Sequence, residues 1–160
     1  MLDSHIVYRE APGLRAAFAA LIDSAHRPDR SFWPYRLASE NHEAASRSGD
    51  SVHLKKWLYA LRTCLAAEWA ATRGTRPPMR LVDLAGGFEI DPATRHQIDH
   101  LIVMKAGLPE TSNATVEPEL AAWLANRVAA LSALQVDHVE PADLALFDHF
   151  FLAWLTYRDV

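Results

Sequence analysis

The stretch SVHLKKWLYALRTCLAAEWAATRG, residues 51–74, is the longest uninterrupted helical pattern in the chain and carries its only paired lysines. At about 100° per residue, Leu54, Leu58, Leu61 and Leu65 fall on one narrow stripe, with Trp57, Cys64 and Trp69 at its margins. That stripe is predicted to face a core. Lys55, Tyr59 and Arg62, at i, i+4 and i+7, share a strip beside it. Spacing leaves two readings of that strip: two cations and a phenol that hold an anionic ligand, or two solvated cations flanking a tyrosine that caps the core.

Outward from this helix, composition points the same way. A length of 160 residues suits one domain with a sizeable core. Hydrophobic content of 50%, rich in alanine and leucine, with six glycines and almost no alternating β-branched runs, predicts an all-α protein. The expected architecture is a single-domain bundle of about six or seven helices around a long central one. One cysteine excludes an internal disulfide framework, and neither a signal peptide nor an apolar run long enough for a membrane span is evident. A reducing, cytoplasmic setting without membrane contact is expected.

Charge is unevenly spread. Residues 27–80 hold ten Lys/Arg against five Asp/Glu, a balance of +5, whereas residues 81–160 hold four against twelve, a balance of −8. The middle of the chain can meet phosphate while the C-terminal half stays solvated, although helical surfaces also differ in charge with no ligand involved.

Taken in order, SHIVY at residues 4–8 reads as a short extended N-terminal segment. Leu14, Ala17, Phe18, Leu21 and Ile22 recur at helical spacing to about Ala25, and Pro34 suits the start of a second helix ending near Ser46. Asp50 or Ser51 is predicted to cap the central helix, and Gly74 to occupy the left-handed position beyond its end. MRLVDLAGG reads as a short helical turn closed by Gly86 and Gly87. Asp91 followed by Pro92 opens a helix to about Lys105 with Gly107 beyond it. Further helices are expected over residues 117–134 and after Pro141, where Leu144, Leu146, Phe147, Phe150, Phe151, Trp154 and Leu155 form the most hydrophobic segment.

Other chemistry-bearing residues read mainly as structural. His96 and His100 stand one helical turn apart, a spacing two metal ligands use, but Gln97 fills the place of a zinc-protease glutamate and no third ligand is evident, so no metal site is expected. Cys64 reads as a small core residue with no accompanying base. Glu68 falls in the inward half of the central helix, where a carboxylate needs an arginine partner or must reach the helix edge. Trp57 and Trp69 read as core.

The run KKWLYALRTCLAAEWAATRGTRPPMRLVDLAGG resembles the most recognisable block of the nucleotidyltransferases of the DNA polymerase β superfamily, including RNA-repair-associated members. The matching positions are Lys55, Lys56, Tyr59, Ala60, Leu61, Arg62, Leu65, Trp69, Pro77, Pro78, Asp83 and Leu84. SHIVYRE is similar to the segment that follows the catalytic part in that family, and MKAGLPE, with Lys105 and Glu110, resembles its downstream segment. The resemblance covers roughly residues 4–110. Catalysis in that family belongs to an α/β module with a Gly-Ser pair and an Asp-x-Asp pair holding Mg²⁺. This sequence contains neither.

The resemblance therefore implies the helical C-terminal part of such an enzyme, without catalytic residues of its own and inactive alone. Lys55, Lys56 and Arg62 are expected to bind NTP or RNA phosphates, and Tyr59 to position a base or ribose or to orient Arg62. Mg²⁺ and NTP are the cofactors implied for the assembled enzyme, and its partner is a catalytic nucleotidyltransferase module. The alternative is a noncatalytic helical interaction or regulatory module, a homo-oligomer among its forms, motivated by the aromatic C-terminal segment. A hydrolase using His96 and His100 would require bound metal.

Overall fold

Apolar side chains crowd every side of the central helix except the strip bearing its cations, and the architecture follows from covering them. The computed structural model describes residues 11–155, so the extended segment expected at residues 4–8 lies outside the described residues. These residues form seven α-helices and one small sheet, a mostly helical chain as the composition predicts. They divide into two compact units. Helix α1 (Leu14–Ala25) and helix α7 (Ala145–Leu155) pack together in one, and Pro28–Asp137 makes the other. No helix among the described residues is long and apolar enough to cross a membrane.

The larger unit is built on α2 (Pro28–Ser46) lying along α3 (Leu54–Arg73), with α4 (Leu81–Gly86), α5 (Pro92–Ala106) and α6 (Pro118–Ala130) also against α3. Ten of the twenty residues of α3 are buried, so burial extends well beyond one stripe. Leu54, Leu61 and Leu65 are fully enclosed, whereas Leu58 is half-buried. Ala60, Ala66, Ala67 and Ala70 let neighbouring elements approach other sides of the helix at no rotamer cost. Each enclosed leucine contributes about 1.5–3 kcal/mol through apolar burial.

Two predicted helix starts move. Helix α2 begins at Pro28, with Asp29 in its first turn, and Pro34 lies inside it. Pro34 removes the bond to the carbonyl one turn back, and full burial of Phe32 against the core helps offset that loss. At α3, Ser51–His53 is strand β2, not the first turn of the helix. It pairs antiparallel with β1 (Arg47–Ser48) on one side and with β3 (Asn113–Ala114) on the other. No side chain caps α3; the Leu54 N–H instead donates to the Ser112 carbonyl at 3.1 Å, so tertiary pairing replaces the expected Asp50 or Ser51 cap.

The other boundaries follow local chemistry. Gly74 has φ 63°, the left-handed conformation that ends α3, and the Asp91 side chain accepts from the Thr94 N–H at 2.9 Å. Helix α6 gives way at Leu131 to a single 3-10 turn, Leu131–Ala133, and so ends before residue 134. In the smaller unit Phe150 of α7 meets Phe18 of α1 with ring centroids 5.4 Å apart. Despite its composition α7 has no buried residue; its Leu155 is 80% exposed, and Leu144 just before the helix is 75% exposed.

Candidate functional site

Strand β2 runs directly into α3, and β3 follows the turn after α5, so the β2–β3 pairing brings the start of α3 to residues 110–114. Lys55 on the first turn of α3 thereby meets Glu110. Its Nζ forms an ion pair with Glu110 Oε2, while Lys105 Nζ, from the last turn of α5, donates to Glu110 Oε1 at 3.2 Å. One carboxylate thus lies between two ammonium groups at the surface. Hydrogen bonds from Lys55 and then Lys105 hold the Glu110 carboxyl below its ordinary range, and the Glu110 partner holds Lys55 above its own.

Tyr59 stands one turn above Lys55, with Lys55 Nζ 5.8 Å from its ring centroid. His42 of α2 also packs against Tyr59, the ring centroids 5.5 Å apart. Lys55 and Tyr59 therefore do lie together. Arg62 is engaged elsewhere: its Nε donates to the Met79 carbonyl at 3.1 Å and its Nη2 lies 3.7 Å from Met79 Sδ, which ties the Pro77–Pro78 connection back to α3. Lys56 is exposed on α3, about 100° round from Lys55. The expected strip is thus one cation–phenol pair and one arginine bracing a loop, with Lys56 solvated beside it.

Sequence reading left Lys105, Glu110 and His42 out of the site. Lys105 and Glu110 were visible only as part of the MKAGLPE resemblance, because the pairing that delivers them joins strands of two and three residues. His42 carries no signal in the sequence that separates it from the chain's other histidines.

At the other end of α3 the arrangement is structural. Glu68 accepts from Arg127 Nη2 of α6 at 3.0 Å, which supplies the arginine its half-buried carboxylate requires. Arg127 also lies over the rings of Trp123 and Phe88, 4.7 and 5.3 Å from their centroids, and Arg73 covers Trp69 at 4.1 Å. Trp57 is core as expected, whereas Trp69 is half-buried and donates from Nε1 to Thr75 Oγ1 at 2.9 Å. Cys64 is enclosed; burial, and secondarily the Glu68 carboxylate, push its thiol up to about 12 against the opposing pull of Arg127. A thiol so placed is no nucleophile.

The basic helix with its Lys55–Tyr59 pair, the Pro77–Pro78 connection and the Lys105–Glu110 segment form a pattern that can be compared with known proteins. The profile of the RNA repair pathway DNA polymerase beta family, RlaP, matches residues 1–153. The chain belongs to this family. The uncharacterized protein YcgL of Bacillus subtilis (strain 168) is 30% identical over 104 residues, which are 65% of this chain and 40% of that protein. The chain therefore spans well under half the length of this relative. No solved structure matches.

Members of a polymerase-β-like family invite a test for metal ligands. Among the described residues no group of three or more His, Cys, Asp or Glu is placed to hold a metal ion, and the sequence has no Asp-x-Asp pair. The described residues do not fit a Mg²⁺ site of that kind.

Proposed function

We propose that this chain is a helical substrate-binding domain of a polymerase-β-type nucleotidyltransferase, one that engages NTP or RNA phosphates and leaves catalysis to a separate module. The observation that carries this reading is the Lys55–Glu110–Lys105 cluster beside Tyr59. Two ammonium groups already arranged around a carboxylate have the spacing and charge to receive a phosphate oxygen in its place. Membership of an RNA repair family supports the choice of ligand class. Lys55 meets phosphate directly, Lys56 adds to the local positive potential, and Tyr59 presents its ring edge and hydroxyl to a base or ribose. Arg62 orders the Met79 segment that borders them, and meets phosphate only if the Met79 contact is exchanged. The setting is the reducing cytoplasm. Mg²⁺ belongs with the partner module, and no step through it is assigned to these residues.

The test is reconstitution. Mixing the chain with a catalytic module carrying Gly-Ser and Asp-x-Asp, then following NTP transfer to RNA, should give turnover that falls at least about tenfold in Lys55→Ala, with a salt-sensitive substrate affinity. Unchanged turnover in both Lys55→Ala and Arg62→Ala would defeat the role assignments.

A second reading has its own observation. The exposed apolar residues of α7, including Phe151 and Leu152 at 53% and 60%, suit a noncatalytic interaction module. A stable oligomer by size-exclusion mass measurement, without NTP or RNA affinity, would favour it.

A further inference from the structure

A groove of about 380 Å³ runs along α5 on the side facing the segment that enters α6. Its floor is apolar and firmly packed, made by Leu101 and Leu120, which are 4% and 1% exposed. One wall is a single row of α5, since His96, His100 and Met104 at i, i+4 and i+8 stand one above the other over about 12 Å. The opposite lip carries Thr115 and Glu117. Glu117 is the N-cap residue of α6, yet its side chain makes no capping bond, so its carboxylate is left for the groove.

We infer that this groove binds the base of a nucleotide, and specifically a base bearing an exocyclic amino group. An apolar floor with imidazole and thioether on one wall stacks well against a flat heterocycle. The Glu117 carboxylate accepts from an amino group and repels a carbonyl edge, and the Thr115 hydroxyl serves either partner of the remaining edge. Discrimination comes from setting an acceptor edge against the exposed Glu117 carboxylate, so the preference is a modest one. Met104 ends the groove and the next residue, Lys105, holds Glu110, so a nucleotide in the groove directs its phosphate towards the lysine cluster. That last step rests on the phosphate-binding reading proposed above; the base site does not.

Titration with nucleosides separates the two. Adenosine, cytidine and guanosine should shift the imidazole Cε1–H resonances of His96 and His100 and bind at least about fivefold more tightly than uridine. Glu117→Gln, an exposed and conservative change, should level that preference while melting temperature stays unchanged. His100→Ala should weaken all four nucleosides. Lys55→Ala should leave nucleoside binding intact and weaken only the corresponding monophosphates. Binding that ignores base identity, or that perturbs neither histidine at millimolar nucleoside, would overturn the base site and leave the phosphate reading standing. Nucleoside binding with no gain from an added phosphate would keep the base site and count against the lysine cluster. A short single-stranded RNA ending in the preferred base, compared with the free monophosphate, tells a strand terminus from a free nucleotide as the source of that base.

Discussion

Gly87 faces the indole of Trp69 so closely that a Cβ at that position would lie 2.2 Å from Cζ3 of the ring. Its backbone is an ordinary right-handed conformation, so the requirement is for space alone. Gly87→Ala forces Trp69 off Phe88 and away from Thr75, and should destabilise the chain by about 1–3 kcal/mol. Gly86→Ala, whose nearest neighbour would be Arg95 Nη1 at 4.0 Å, should be neutral or stabilising by about 0.5 kcal/mol. Urea unfolding of the two variants measures the contrast, and equal midpoints would refute it.

The Glu68–Arg127 pair is half-buried on both sides, and each partner left alone would face a low-dielectric surrounding. Glu68→Gln and Arg127→Met should each cost about 1–3 kcal/mol, with a favourable coupling on the order of 1 kcal/mol in the double-mutant cycle. Arg127→Lys should not rescue, because the ammonium cannot lie flat over Trp123 and Phe88 while reaching Glu68. Full stability in the lysine variant would show that the stacking contributes nothing.

Cys64, with its thiol pushed up to about 12, holds almost no thiolate near neutrality. At about pH 8 its reaction with a disulfide reagent should be about a thousandfold slower than that of a free cysteine, and should reach the free rate in guanidinium. Rapid labelling of the native chain would contradict its enclosure.

The Lys55–Glu110 contact has a defined pH window. Glu110 is depressed, so its contribution is present above the ordinary carboxylate range and lost as pH falls through its lowered value. Lys55 is raised, so its contribution is full below the ordinary lysine range and lost as pH rises through its elevated value. Between these limits the contact is constant. Carboxyl carbon titration should place Glu110 below the ordinary glutamate range, and Lys55→Ala should move it back up; no movement would mean that the lysine does not hold it.

Local chemistry was legible in the sequence where one turn of chain contains both partners. Gly74 ends a helix through its own left-handed backbone and Asp91 starts one through the Thr94 N–H three residues on, and both read correctly. The start of α3 did not, because the partner of β2 lies at Asn113 and Ala114, and strands this short leave no periodicity. Pro34 resembled a helix start because an interior proline is costly, and the burial of Phe32 helps offset that cost. Helical spacing put Lys55 and Tyr59 on one strip, but it carried no information on Glu110, which the fold delivers. Glu68 signalled the need for an arginine without identifying Arg127. The apolar richness of α7 was plain, whereas the exposure of Leu144 and Leu155 was not.

The pairing of three short strands also implies, through loop-closure entropy, an order of assembly. Helices α2 and α3 are sequence neighbours whose docking closes only a brief turn, while joining β3 to β2 closes a span of roughly sixty residues and carries the larger entropic barrier. The lysine–carboxylate cluster is therefore completed late, after the helical pair it decorates has formed. Ala114→Gly should accelerate unfolding and leave the refolding rate nearly unchanged in stopped-flow measurements. A nascent chain would then hold a docked α2–α3 pair before it holds the proposed phosphate-binding surface, so folding itself would set the earliest moment at which that surface exists.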